Sequence, residues 1–102
     1  MLNTTKQFEL GNTIYFECIY RNIYSVYTDP TDPTWEIIDG KGTVIANSSS
    51  EGGPYKRSAG LWYIFWASTD IGSYVLTFMG TIGGNAVRIR RPFKVTKTAA
   101  LY

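Results

Sequence analysis

The residues Leu61-Trp62-Tyr63-Ile64-Phe65-Trp66-Ala67 are the clearest strand signal in the chain, an unbroken run of aromatic and aliphatic side chains. Side chains of this kind fit the pleated, half-buried surface of a β-sheet. Gly60 precedes the run and a turn at 69–72 follows it, so the segment has the usual length of a strand. We therefore predict a strand at 61–67 and a fold built mainly from strands.

Alternating patterns continue on both sides of this segment. Residues 13–20 predict a strand with one face made of Ile14, Phe16, Cys18 and Tyr20. Further strands are predicted at 35–38, 43–46, 73–79 and 86–95, with turns at 39–42 and 82–85 where glycine supplies the positive φ that tight turns require. Because six or seven short strands with frequent turns and no helical period are typical of sandwiches, we predict an all-β antiparallel sandwich.

Three segments depart from simple alternation. Two Asp-Pro pairs within 25–34 predict a stiff connection and not a central strand, because proline fixes φ and lacks an amide donor. Residues 47–60 are polar and glycine-rich, which predicts the longest exposed loop. Arg91 falls in the apolar phase of the last strand, and a bulge or an edge position near Pro92 would explain it.

Composition limits both the domain organisation and the chemistry. A chain of 102 residues, 44% apolar and 18% charged, predicts a single domain over 1–102 with its core at about 8–97. The absence of histidine removes the commonest general base and metal ligand, and the single cysteine, Cys18, excludes an internal disulfide. We expect no cofactor, no metal and no enzymatic activity. The net charge of +2 is too small to indicate a nucleic-acid partner.

The cellular location is also an expectation from the sequence. The first residues lack the apolar run of an export signal, and no stretch has the roughly 18 apolar residues of a membrane span. We expect a protein made in the cytoplasm without an export signal and without a membrane partner.

The arrangement of Cys18, Trp35 and Gly72-Ser73-Tyr74 resembles an immunoglobulin-type domain, with Leu76 in place of the second core cysteine. The chain is more similar to the small disulfide-free immunoglobulin-like modules of bacterial, archaeal and viral proteins. That resemblance covers about residues 8–97, and its matching segments are Asp32-Pro33-Thr34, Ile38-Asp39 with Gly42, Gly60 to Trp66, Gly72-Ser73-Tyr74 and Arg90 to Val95. It implies an immunoglobulin-like sandwich of about seven strands, a tyrosine corner at Tyr74, and a structural or adhesive role in virions or cell surfaces.

The resemblance also implies which face of the strand at 61–67 is buried. If Trp62, Ile64 and Trp66 point to the core, then Leu61, Tyr63 and Phe65 point outward. In an immunoglobulin layout this strand pairs with the strand at 13–20, which adds Tyr15 and Ile19 to the same outer face. Because large apolar patches on a surface usually serve contacts, we predict a protein interface there, whereas cover by the N-terminal segment or by 47–60 is the alternative.

The other candidate sites have simple structural explanations. Arg88, Arg90 and Lys94 could bind anions, but positive charge on an edge strand also prevents aggregation, and the small net charge favours that explanation. Asp29, Asp32, Asp39 and Asp70 are expected to bond to the backbone of their own turns.

The function expected from the sequence is therefore a non-catalytic structural or protein-binding module. It would assemble with itself as a homo-oligomer or with a larger protein such as a virion or surface assembly. The alternative is a carbohydrate-binding sandwich, which would need an exposed side chain among Trp35, Trp62 and Trp66.

Overall fold

A computed structural model describes residues 6–97, which form eight strands and one short helix. The strands are β1 (Lys6–Glu9), β2 (Thr13–Ile19), β3 (Thr31–Asp39), β4 (Val44–Asn47), β5 (Tyr55–Ser58), β6 (Leu61–Ala67), β7 (Gly72–Ile82) and β8 (Asn85–Thr96), and the helix is α1 (Ser48–Glu51). They form a five-stranded sheet in the order β1-β8-β7-β3-β4 and a three-stranded sheet in the order β2-β6-β5. The prediction of an all-β sandwich is confirmed. The described residues form eight strands and not seven, and the prediction that all pairs are antiparallel is wrong for one pair, because β1 runs parallel to β8.

The core lies between the two sheets and follows the predicted alternation. From the small sheet, Ile14, Phe16, Cys18, Ile64 and Trp66 are buried. The large sheet contributes Trp35, Ile37, Tyr74, Leu76, Phe78, Phe93 and Val95. Side chains on alternate positions of each strand thus fill the space between the sheets, which is the main source of stability in such a fold. Burial raises the pKa of the Cys18 thiol to about 12.

Buried polar groups in the core have hydrogen-bond partners. The Tyr20 hydroxyl donates to the Met79 carbonyl at 2.9 Å and so joins the end of β2 to β7 in the other sheet. The Trp35 indole N–H donates to the Gly52 carbonyl at 2.7 Å. The Tyr74 hydroxyl donates to the Asp70 carbonyl at 2.8 Å, which confirms the predicted bond from this tyrosine back to nearby backbone. These bonds avoid the cost of burying unpaired polar atoms.

The hairpin of β7 and β8 explains why Arg91 occupies an apolar position in the alternation of the last strand. Gly83 and Gly84 both have positive φ, as a two-residue hairpin turn requires, and β7 pairs with β8 without a register shift from Gly72 to Ile82. No bulge is therefore present in this pairing. β1 pairs with β8 only from Phe93 onward, so among the described strands the preceding part of β8 is an edge where Arg91 reaches solvent. The edge explanation is correct.

Two predicted connections contain strands. β3 begins at Thr31 and includes Pro33, because β7 pairs with this irregular segment across a register shift between Thr31 and Thr34. The segment 47–60, predicted as a loop, contains α1 and β5, and β5 pairs with β6. Both predictions were wrong in part because strand pairing overrides local proline and glycine signals when a neighbouring strand supplies hydrogen bonds.

Within residues 6–97, no helix has the length and apolar character needed to cross a membrane.

Candidate functional site

The outer face of the small sheet carries four aromatic rings in mutual contact, and we call them the aromatic cluster: Tyr15, Tyr55, Tyr63 and Phe65. The rings of Tyr15 and Tyr63 stack with centroids 5.5 Å apart. Phe65 lies 5.2 Å from Tyr15 and 5.7 Å from Tyr63, and Tyr55 lies 5.7 Å from Tyr63. The cluster extends across all three strands because Tyr15 is opposite Phe65, and Tyr55 is opposite Tyr63.

The aromatic cluster remains open to solvent although its rings pack on one another. Tyr15 is 42% exposed, Tyr55 49% and Phe65 56%, while Tyr63 is half-buried at the centre. Aromatic pairs of this geometry add about 0.5–1.5 kcal/mol beyond the area they bury, so the rings hold one another in place. The result is an ordered apolar surface with aromatic side chains at its centre.

An ion pair lies beside the aromatic cluster and crosses the central strand. Arg57 of β5 donates to the Glu17 carboxylate of β2 at 2.7 Å, and the Tyr15 hydroxyl donates to the same carboxylate oxygen at 2.7 Å. The hydrogen bonds from Tyr15 and Arg57 lower the pKa of Glu17. The bond to Glu17 raises the pKa of Tyr15. The acidic residue on this face is thus already neutralised within the chain.

All five residues predicted for the interface lie on this face. Tyr15 and Phe65 are exposed, and Ile19, Leu61 and Tyr63 are half-buried. Ile19 is opposite Leu61, which extends the apolar surface beyond the rings. Sequence reasoning missed Tyr55, because the polar segment around it concealed a strand. The triplet Tyr55-Lys56-Arg57 between Pro54 and Ser58 is a weak signal that could have indicated one.

A second apolar surface, also missed, lies in the loop between β2 and β3. Ile23 and Tyr24 are 84% and 78% exposed at its tip. The Asn22 side chain accepts hydrogen bonds from the backbone amides of Tyr24 and Val26 at 2.8 and 3.1 Å, so the loop has a defined shape. An apolar pair between Asn22 and Ser25, both turn-forming residues, was the available signal.

The structure places the predicted basic residues in one row on the outer face of the large sheet. Arg88, Arg90 and Lys94 are all exposed and lie opposite Met79, Thr77 and Ser73 of β7. Glu36 lies on the same face in register with Thr77 and therefore near Arg90. This carboxylate, on β3 and separated from the row by β7, reduces the positive field near Arg90. Arg88 and Arg90 lie on the part of β8 that does not pair with β1, which suits edge protection better than anion binding, whereas Lys94 is paired with Gln7 of β1 and does not lie at an edge.

Asp39 and Asp29 differ in what their carboxylates bind. Asp39 accepts hydrogen bonds from the amides of Lys41 and Thr43, as expected of a turn residue. Asp29 instead accepts the Gly60 amide at 2.9 Å, Lys56 at 2.6 Å and the Trp62 indole at 3.3 Å, so the expectation that it serves its own turn was wrong. The Gly60 amide, followed by Lys56, lowers the pKa of Asp29. Asp29 connects the loop before β3 to the start of β6.

A depression of about 590 Å³ opens at the end of the sandwich and includes Asp39, Glu51 and Asp70 in its lining. The Asp39 carboxylate is occupied by the two amides of its own turn. Within residues 6–97, no three side chains among His, Cys, Asp and Glu lie close enough to hold a metal ion.

The tryptophans required by the carbohydrate hypothesis are mostly covered. Trp35 and Trp66 are buried, and Trp62 is half-buried and donates its indole N–H to the Asp29 carboxylate.

Comparison of the chain with protein-family models, with curated proteins and with solved structures finds no match.

Proposed function

We propose that this protein is a non-catalytic binding or assembly module and that the aromatic cluster is its contact surface. The observation that carries the proposal is the set of four mutually packed rings on the outer face of β2, β6 and β5. Tyrosine and phenylalanine at the centre of a surface are typical of protein interfaces, because they bury much area while losing little conformational entropy. The contacts among the rings reduce that entropy cost further.

A protein partner fits this surface better than a sugar. Carbohydrate binding uses the open face of an aromatic ring, but Tyr15 and Tyr63 stack face to face with an interplanar angle of 29°. The contacts within the aromatic cluster thus cover ring faces that a sugar would need. The neighbouring Arg57–Glu17 pair supplies the polar rim that protein interfaces commonly have around an apolar centre.

We also infer that the sandwich is of the immunoglobulin-like, disulfide-free kind. The hydrogen bond from Tyr74 to the Asp70 carbonyl supports this, as does the burial of Cys18 and Trp35 on facing sheets. A module of this kind would serve as a structural component of a virion or of a surface assembly, with itself or a larger protein as its partner.

The test replaces one exposed apolar residue on each sheet with glutamate. Phe65→Glu places a charge in the aromatic cluster, and Val44→Glu places the same charge on exposed β4 of the other sheet as the matched control. Sedimentation velocity over a wide concentration range measures self-association. Photo-crosslinking from position 65 or 44, in cells that make the protein, detects a different partner. Thermal unfolding verifies that both variants fold.

We expect Phe65→Glu to weaken association. We also expect crosslinking from position 65 to capture the partner and crosslinking from position 44 to capture none. Association that survives Phe65→Glu but is lost in Val44→Glu would place the contact on the other sheet and refute the proposal.

A further inference from the structure

Strand β2 is an edge of the small sheet. It pairs with β6 along its whole length from Thr13 to Ile19, and within residues 6–97 no strand pairs with its other side. Alternate amide and carbonyl groups of β2 therefore point away from the sheet. Such a row of backbone donors and acceptors is complementary to one class of partner, another extended strand.

The other edges of the sandwich carry features that discourage strand pairing. β5 and β4 have only four residues each, and both pair with register shifts. The open part of β8 carries Arg88, Arg90 and Pro92. β1 has four residues and begins with Lys6. Short length, irregular register, proline and positive charge are the usual protection of an edge.

β2 lacks these features, and its one charged side chain, Glu17, is paired with Arg57. It has seven residues, contains no glycine, proline, lysine or arginine, and pairs with β6 without a register shift. A long and regular edge of this kind favours addition of a strand.

We propose that β2 pairs antiparallel with β2 of a second copy of this chain. The arrangement would join the two small sheets into one six-stranded sheet with a twofold axis, which is a closed association. This inference rests on the proposed function, since it names another copy as the partner and brings the two aromatic clusters side by side at Tyr15, while Tyr63 and Phe65 of β6 stay on the outer face.

The sequence of β2 is self-complementary in the register that pairs all seven residues. Phe16 is the central residue of the strand, so it faces Phe16 of the second copy on the twofold axis. Odd-numbered residues then face odd-numbered residues, which keeps Tyr15 of both copies on the outer face. A shift by one residue would turn the aromatic side chains of one copy inward relative to the other.

Charges also favour this register. Glu17 faces Tyr15 of the second copy and not the other Glu17, so two carboxylates are not directly opposed. Each Glu17 is moreover neutralised by Arg57 of its own chain at 2.7 Å. The two aromatic clusters would lie side by side across the axis, with their Tyr15 side chains diagonal to one another and each beside Glu17 of the second copy.

The register predicts that position 13 faces position 19 of the second copy, and this gives a specific test. One variant carries Thr13→Lys with Ile19→Lys, and the other carries Thr13→Glu with Ile19→Glu. Each variant alone places like charges opposite one another, while a mixture places opposite charges together. Sedimentation velocity of each variant and of the mixture, with thermal unfolding as the folding control, measures association. We expect the mixture to associate at least about tenfold more tightly than either variant alone.

A second measurement locates the contact in the unmodified protein. Isotope-filtered NMR on a mixture of labelled and unlabelled chains detects protons that are close across the interface. We expect contacts between β2 of the two copies and slow exchange of every β2 amide. Intermolecular contacts from Tyr55 and Phe65 alone would overturn the edge pairing and leave the proposed function intact. A monomer at all concentrations would also overturn it, while crosslinking from position 65 would still test the proposed function with another protein.

Discussion

Replacement of Gly60 by alanine is the perturbation whose cost the structure specifies best. Gly60 has φ +74°, and a Cβ there would lie 2.8 Å from the Thr28 amide nitrogen and 2.8 Å from the Tyr20 carbonyl oxygen. Both are backbone atoms held in the fold, because the Tyr20 amide itself donates to the Gly60 carbonyl at 2.8 Å. The added methyl group therefore cannot be accommodated by rotation of a side chain.

Gly42 supplies the matched control. Its φ of +82° is close to that of Gly60, but no atom lies within 4 Å of the position its Cβ would take. Both substitutions incur the left-handed strain of alanine, about 1–2 kcal/mol. Only Gly60→Ala adds overpacking, which costs about 1–3 kcal/mol. We expect losses in the free energy of unfolding of about 1–2 kcal/mol for Gly42→Ala and about 2–5 kcal/mol for Gly60→Ala.

Urea denaturation followed by tryptophan fluorescence measures both values, with unchanged slopes of free energy against urea as the condition for comparing midpoints. Equal losses in the two variants would refute the reasoning, because the close approach at Gly60 would then have no energetic consequence.

Three further predictions concern individual side chains. Cys18, whose pKa is raised to about 12, should not react with a thiol reagent at pH 8 until the protein unfolds, and rapid labelling of the folded protein would contradict its burial. Tyr74→Phe removes the bond to the Asp70 carbonyl and the bond with the Ser68 hydroxyl at 3.2 Å, and it should cost about 1–2 kcal/mol in urea denaturation, whereas an unchanged midpoint would show that the two bonds contribute nothing. The Gly60 amide lowers the pKa of Asp29, so the ionised carboxylate stabilises the fold above its unfolded pKa, and this stabilisation is lost as pH falls through the folded pKa. Asp29→Asn should therefore lower the free energy of unfolding at neutral pH and make it depend less on pH in acid than in wild type. Parallel curves of stability against pH for the two proteins would contradict this.

Local alternation in the sequence was enough to predict the fold class and most of the core. The strand at 61–67 follows from its run of aromatic and aliphatic side chains. The burial of Ile14, Phe16 and Cys18 follows from period two, because successive side chains of a strand point to opposite faces. The turn at 82–85 was also predicted from local sequence, because its two glycines can adopt the positive φ that the turn requires. The outer face with Tyr15 and Phe65 was predicted only by combining this alternation with the strand order of a known kind of sandwich.

Only the tertiary structure decided which strands are neighbours and which edges stay open. The recruitment of Tyr55-Lys56-Arg57-Ser58 as a strand depends on hydrogen bonds from β6, and no local signal in a polar, glycine-rich segment reveals such a partner. The same pairing places the ring of Tyr55 against the ring of Tyr63. It also brings Arg57 to Glu17, which lies 40 residues away in the chain. The alternation of side chains is a property of one strand, so the local sequence determines which residues share a face of that strand. Strand pairing, open edges and side-chain clusters depend on the free energy of contacts between distant segments. For that reason only the tertiary structure shows that the aromatic cluster forms.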